Sequence, residues 1–347
     1  MRNYKEHLIL NGSKIRIALE QLGKLTGDAV LFVVNQNDRL VGSLTDGDVR
    51  RGLLNGLSTN HEIDSFIQDN PKYIVQNDYE LDDVISLRNG GFKIIPVVSD
   101  DKKVINVINF RYFKSFLPID ALVMAGGRGS RLMPLTEKIP KPLLKINDKE
   151  IVSYNFDRLL QFGISNQYIS VNYLGNLIRD FCSNYNSDIN FNIVDEEDFL
   201  GTAGSLALVE EFENDYILLM NSDLLTNIDF EDLFKTFLKK DSDFIVASVS
   251  HYVDLPYAIL EVEDDKVVSF EEKPTYTYYA NAGIYLFKKE LLKFIPRNVF
   301  YDATDFMKDV KQAGLRISHY PINGYWLDIG KHEDFIKAQK DIKHLKL

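Results

Sequence analysis

The stretch Ala121-Leu-Val-Met-Ala-Gly-Gly-Arg-Gly-Ser-Arg-Leu-Met-Pro-Leu-Thr136 decides how this chain is read. The apolar run Ala121 to Ala125 suits a buried parallel strand. Gly126, Gly127 and Gly129 follow it directly, and they let the backbone turn sharply and aim N–H groups at an anion. Arg128 and Arg131 add positive charge around Ser130, and Lys141 follows within Lys138-Ile-Pro-Lys-Pro-Leu-Leu-Lys145. The string is neither G-x-G-x-x-G nor a loop ending in G-K-[ST]. A dinucleotide cofactor site and a Walker-type ATPase are both excluded.

The surrounding composition makes this basic loop more telling. The chain has 347 residues, enough for two domains, with 45% hydrophobic and 26% charged residues. Its formal net charge is −11, which argues against nucleic-acid and anionic-membrane partners. A phosphate ligand must therefore meet a local cluster of cations. The single cysteine, Cys182, rules out a disulfide framework, and the 6 histidines are scattered without metal-ligand spacing. The first residues lack the apolar core of a signal peptide, and no run approaches the ~18 apolar residues of a membrane span. A cytoplasmic location is expected.

Two acids stand out downstream. Tyr216-Ile-Leu-Leu-Met-Asn-Ser-Asp223 reads as an apolar strand ending in a carboxylate, where open α/β sheets bind ligands. Gly324-Tyr-Trp-Leu-Asp-Ile-Gly330 sets Asp328 among apolar neighbours beside Trp326. A carboxylate so placed is costly unless it is paired or metal-bound. Turn or helix-cap roles are the alternatives for the two residues.

Taken together, the glycine loop and the Pro140, Lys141, Pro142 run resemble the signature G-G-x-G-x-R-L-x-P-L-T…P-K-P of the sugar-1-phosphate nucleotidylyltransferases. Asp195-Glu-Glu-Asp-Phe-Leu-Gly-Thr-Ala-Gly204, Phe270-Glu-Glu-Lys-Pro274 and Asn281-Ala-Gly-Ile-Tyr285 resemble further motifs of that family, in order. The resemblance implies a Rossmann-like nucleotidyltransferase domain with a mixed, mostly parallel sheet over residues 118–347. It implies a nucleotide site of Ala125, Gly126, Gly127, Gly129, Ser130, Gly201 and Thr202, with Glu196 or Glu197 accepting from the base. Arg131 and Lys141 would serve the phosphates, and Asp223 and Asp328 would hold Mg2+. Glu272, Lys273, Asn281 and Gly283 would take the sugar phosphate. The implied reaction joins an NTP and a sugar 1-phosphate to give an NDP-sugar and pyrophosphate. The motifs are closest to the mannose-1-phosphate and glucosamine-1-phosphate guanylyltransferases, which makes GTP the first choice and surface-glycan or legionaminic acid synthesis the setting. CTP- or UTP-using enzymes and a non-catalytic nucleotide-sensing subunit are the alternatives.

Residues 1–117 carry a degenerate repeat. Ala29 to Thr45 and Lys93 to Asn109 each read as apolar run, polar turn, apolar run, a β-hairpin pattern, and each follows a helical pattern such as Ile15, Ala18, Leu19 and Leu22. Gly42-Ser-Leu-Thr-Asp-Gly-Asp48 resembles the G-x-x-T-x-x-D motif of a CBS-domain pair (Bateman module). That resemblance implies an adenine nucleotide on Thr45 and Asp48 and a homodimer through this module. The second copy has Asn106, Asn109 and Tyr112 at the matching positions. A helix N-cap is the alternative for Thr45 and Asp48. Ser115 to Asp120 reads as the linker.

Overall fold

The computed structural model describes residues 4–76, 78–185 and 188–345; the outermost residues of the two expected domains, 1–3 and 346–347, lie outside the described residues. Two compact units emerge: residues Met1–Leu117 with Gln161–Gly163, and Pro118–Leu160 with Ile164–Leu347. Among the described residues, no helix is long and apolar enough to cross a membrane.

In the first unit, one module contains β1 (Leu8–Leu10), α1 (Ile15–Leu25), β2 (Val30–Val34), β3 (Leu40–Thr45) and α2 (Asp46–Leu54). The other contains β4 (Ile74–Val75), α3 (Leu81–Asn89), β5 (Ile94–Val98) and β6 (Val104–Asn109). The repeat extends to the register. Val34 pairs with Leu40 and Val98 with Val104, each just past a bulge. The hairpin turns bond to one another, Leu40 N donating to Lys102 O at 2.9 Å and Val104 N to Asp38 O at 3.1 Å. Phe32, Val34, Ile94, Val98, Val104 and Val107 fill the core between the modules. Neither three-stranded sheet could bury that face alone. On α1 the buried stripe is Ile15, Ala18, Leu22 and Leu25, while Leu19 faces outward.

Thr45 and Asp48 are occupied with each other. The Thr45 hydroxyl accepts from Asp48 N at 3.3 Å, and Asp48 Oδ2 accepts from Thr45 N at 2.8 Å and from its hydroxyl at 2.6 Å. Asp48 Oδ1 takes Arg51 and Gln68. Burial opposes the charged form of Asp48, yet these hydrogen bonds hold its carboxyl below the ordinary value. The pair forms a capping box at the start of α2.

The second unit is built on a seven-stranded sheet in the order β11-β10-β7-β12-β17-β14-β18. Its first half contains β7 (Ile119–Met124), the small β8 (Lys145–Ile146) and β9 (Lys149–Glu150), α4 (Ile151–Gln161), β10 (Asn166–Val171), α5 (Gly175–Ser183) and β11 (Asn190–Asp195). Then come β12 (Tyr216–Asn221), β13 (Leu224–Thr226), α6 (Phe230–Lys239), β14 (Phe244–Asp254), β15 (Ile259–Glu263), β16 (Lys266–Glu271) and β17 (Thr275–Lys288). The last elements are α7 (Ala303–Gln312), β18 (Ile317–Pro321), β19 (Trp326–Asp328) and α8 (His332–Asp341). Only the β12–β17 and β17–β14 pairings in the large sheet are antiparallel.

Alternation along β12 clads the sheet on two sides. Ile217 and Leu219 join Phe306 of α7 in one core, whereas Tyr216 packs its ring on Phe234 and Phe237 of α6. The sequence reading of Ser115–Asp120 as linker needs correction at its end. Ile119 and Asp120 pair with Tyr216 and Ile217 as part of β7, and the buried Asp120 carboxylate accepts from Asn214 N at 2.9 Å. Successive strands β7, β10 and β11 run to one side, and β12 then returns to the other flank of β7. That reversal opens a crevice at the carboxyl ends of β7 and β12.

Candidate active site

The glycine loop leaves β7 at this crevice and is pinned from below. Leu132 is fully buried with Leu144, Ile146, Leu225, Leu327 and Ile329. Gly129 has φ +60, and a Cβ there would stand 3.0 Å from both Lys141 Cβ and Thr136 Cγ2. Only glycine fits both the torsion and the space. Thr136 Oγ1 donates to Gly129 O at 2.9 Å and locks the turn.

Across the crevice, β13 and β19 pair antiparallel with Leu224 opposite Asp328, and Ile329 N donates to Asp223 O at 3.1 Å. Two acids far apart in the chain thus become neighbours. The Lys141 ammonium is ion-paired with Asp223 Oδ2 and stands 4.0 Å from Asp328 Oδ1. Asp223 Oδ1 and Asp328 Oδ1 are both buried with no hydrogen-bond partner among the described residues. Burial, then the charge of Asp223, pushes the Asp328 carboxyl up, with Lys141 and Arg131 opposing. Two orphaned carboxylate oxygens on one side of a crevice fit a hard divalent cation that takes its remaining ligands from phosphate and water. Among the described residues no group of three His, Cys, Asp or Glu gathers for a metal.

The cavity between these elements measures about 250 Å³. Ala125, Gly126, Gly127, Gly129, Ser130, Arg131, Lys141, Glu196, Gly201, Thr202 and Asp223 all line it. Glu196 is buried, and its Oε2 accepts from Leu200 N at 2.9 Å. Burial raises its carboxyl above the ordinary range, partly offset by the Leu200 and Ser170 hydrogen bonds. A Cβ on Gly126 would lie 3.0 Å from Glu196 Oε1, so the loop and this carboxylate meet at the cavity wall. Gly201, at φ +80, could not carry a Cβ, which would stand 2.8 Å from Tyr301 O.

Several lining groups escape sequence reasoning. Asn221, Ser170 and the half-exposed Phe199 line the same cavity. Asp302 does not line it but holds its wall: Thr202 N and Oγ1 donate to Asp302 Oδ1 at 2.9 and 3.0 Å. The Thr202 hydroxyl also accepts from Ala303 N at 2.8 Å, so it serves the loop anchor. Glu197 is exposed.

The residues expected on the sugar side divide. Gly283, at φ +70, presses on Asn221, whose amide a Cβ would meet at 2.6 Å. Asn281 Oδ1 accepts from Gly283 N at 3.0 Å, and Asn281 Nδ2 donates to Tyr285 at 2.8 Å. Glu272 and Lys273 lie elsewhere. Both are exposed and neither lines the cavity. From the Ser248–Asn281 pair to the Asp254–Thr275 pair the ladder runs six residues on each strand, which carries them about 20 Å along the ribbon from Asn281.

A family profile described as nucleotidyl transferase matches residues 120–344. The chain belongs to the nucleotidyl transferase family. Within it, this chain is 28% identical over 225 residues to the mannose-1-phosphate guanyltransferase beta-B of Xenopus laevis, covering 62% of each chain. It is 27% identical over 253 residues to a UTP–glucose-1-phosphate uridylyltransferase of Synechocystis sp., covering 65% of each. It therefore spans less than two thirds of the length of these relatives. Among solved structures, HddC from Yersinia pseudotuberculosis aligns with a TM-score of 0.51 at 25% identity, over 64% of this chain and 99% of that one; that protein has also been solved complexed with GMP-PN.

Proposed function

We propose that the chain is a sugar-1-phosphate nucleotidylyltransferase, transferring a nucleotidyl group from GTP to a sugar 1-phosphate and releasing pyrophosphate. The observation that carries this reading is the pair of orphaned carboxylate oxygens on Asp223 and Asp328, facing Lys141 beside the glycine loop. The attacking sugar phosphate has a second pKa of about 6 and is already largely ionised at neutral pH, so no general base is needed. What opposes reaction is the approach of two anions, and fixed charges and positioning answer that.

The roles follow from the chemistry of each group. Backbone amides of Gly126 to Gly129 and the Arg131 guanidinium hold the triphosphate. Lys141 leaves Asp223 for the α-phosphate. Bound Mg2+ would be held by Asp223 and Asp328 and would neutralise charge on the phosphate oxygens. Glu196 presents an acceptor to the N–H edge of guanine, with Phe199 available to the base plane. Asn281 and Gly283 border the sugar. The first unit acts as a CBS-like pair, and an adenine nucleotide there would have to draw Thr45 and Asp48 out of their capping box.

The experiment is a pyrophosphate-release panel of four NTPs against mannose, glucosamine, glucose and heptose 1-phosphates, repeated with AMP. GTP with mannose or glucosamine 1-phosphate is expected to turn over fastest. UTP is the second reading, because a uridylyltransferase is among the relatives. Turnover with no pair at all would sink the proposal.

A further inference from the structure

A buried amide outside the cavity acts on the turn that carries Asp223. Asn155 lies on α4 and is 2% exposed. Its Nδ2 donates to Ser222 O at 3.2 Å and to Leu224 O at 3.0 Å, the carbonyls on either side of Asp223. A primary amide nitrogen carries two hydrogens, so one side chain bridges both flanks of the residue that bears the carboxylate. Asparagine is a poor residue for a helix interior and a costly one to bury. The bonds to Ser222 and Leu224 offset that cost, and an apolar side chain of the same size cannot make them.

The surrounding backbone makes this bridge consequential. Ser222 and Asp223 form the turn between β12 and β13, outside the ladders that fix their neighbours. Ser222 N donates to Met124 O at 3.2 Å, and Asp223 O accepts from Ile329 N at 3.1 Å. Asn155 supplies the donors from the helix side. A turn further along α4, the buried Arg158 donates from Nε to Ile228 O at 2.8 Å and from its guanidinium to Asn227 O. One helix face therefore grips β13 at both ends. In turn β13 sets β19, with Leu224 opposite Asp328 and Asn227 N donating to Tyr325 O at 3.1 Å. Without the bridge, the turn bearing Asp223 is free to shift against β19, and the separation of the two orphaned oxygens is no longer fixed.

We infer that Asn155 is a positioning residue for the divalent cation. By bridging the carbonyls that flank Asp223, it holds that carboxylate where it can share one ion with Asp328. The inference deepens the nucleotidyl-transfer reading above and rests on its shared cation. Outer partners that orient metal ligands are worth about 10–100-fold in metal affinity.

The test compares Asn155→Leu with Gln167→Leu in the full-length chain. Gln167 is a matched control. It is fully buried, and its Nε2 donates to Phe156 O at 3.1 Å and Ile164 O at 3.0 Å, so its loss loosens the same helix without touching the turn that bears Asp223. Both variants should lose stability, and a purely structural role for Asn155 makes them alike in everything else. Mn2+ binding without nucleotide is read from the electron paramagnetic resonance signal of the free ion. It is expected to weaken about tenfold or more in Asn155→Leu and to stay within about twofold of wild type in Gln167→Leu. The Mg2+ concentration for half-maximal pyrophosphate release should rise by the same factor in Asn155→Leu, with saturating Mg2+ restoring most of the rate. Asn155→Ala lacks the same donors and carries the same prediction if the leucine variant does not fold. Equal Mn2+ affinity in the Asn155 and Gln167 variants, or a wild type that binds no Mn2+, overturns the inference. If the wild type binds Mn2+ but releases no pyrophosphate from any pair, the transfer reading falls and Mn2+ binding alone decides the role of Asn155.

Discussion

The Lys141 ammonium is ion-paired with the Asp223 carboxylate at the foot of the glycine loop, with Asp328 only 4.0 Å away. This lysine therefore stands between two acids that the sheet forces together. Replacing it by methionine leaves the two carboxylates with only the Arg131 charge to oppose them, at a cost on the order of 3 kcal/mol. Lys141→Met should melt at a lower temperature than wild type, and Mg2+ or Mn2+ should restore more stability to the variant than it adds to wild type. A variant whose melting ignores divalent cations would speak against a shared cation site.

Glu196 accepts only, and guanine offers N–H donors. Glu196→Gln replaces one acceptor by a donor, so the ratio of GTP to UTP turnover should fall by tenfold or more, about 1.4 kcal/mol. An unchanged ratio would remove Glu196 from base selection.

The same residue makes a pH prediction. Burial raises its folded-state carboxyl above the ordinary glutamate value. The folded form therefore binds the proton more tightly than the unfolded form. That favourable contribution is complete below the unfolded value and is lost as pH rises through the folded one. Relative to wild type, Glu196→Gln should gain stability as pH is raised from about 4.5 towards neutrality. Parallel stability profiles for the two proteins in urea melts would contradict the assignment.

Glycines of the loop are not equivalent. Gly129→Ala puts a Cβ against Lys141 and Thr136 at positive φ, which costs about 1–2 kcal/mol for the backbone alone. Gly127 has open space around it, so Gly127→Ala should melt within about 0.5 kcal/mol of wild type. Equal melting of the two variants would show that the turn is not held as described.

In the first unit, Asp48→Ala removes the capping box and the partner of Arg51 and Gln68. It should cost about 1–2 kcal/mol. Melting of that unit reads this directly, and basal pyrophosphate release should remain.

The parts of the site that were legible in the sequence are local strings. The glycine loop, the strand ending before Asp223 and the repeat of the hairpins each carry their signal within a few residues, and the register at Val34 and Val98 repeats as the alternation implies. What the string cannot carry is pairing at a distance. Asn221 matters because Gly283 packs on it from another strand. The string places Thr202 beside the nucleotide but does not show that Asp302, a hundred residues on, holds its hydroxyl. Leu19 fits the helical period, yet the buried stripe continues through Leu25 instead. The motif Glu272-Lys273 announces chemistry, but the ladder beyond Asn281 decides where the hairpin carries it.

The most direct test is pyrophosphate release from GTP by Asp223→Asn with saturating Mg2+. Shared binding of one divalent cation by Asp223 and Asp328 predicts a fall of about a thousandfold, with the fold intact by circular dichroism. Turnover near the wild-type rate in that variant would contradict it.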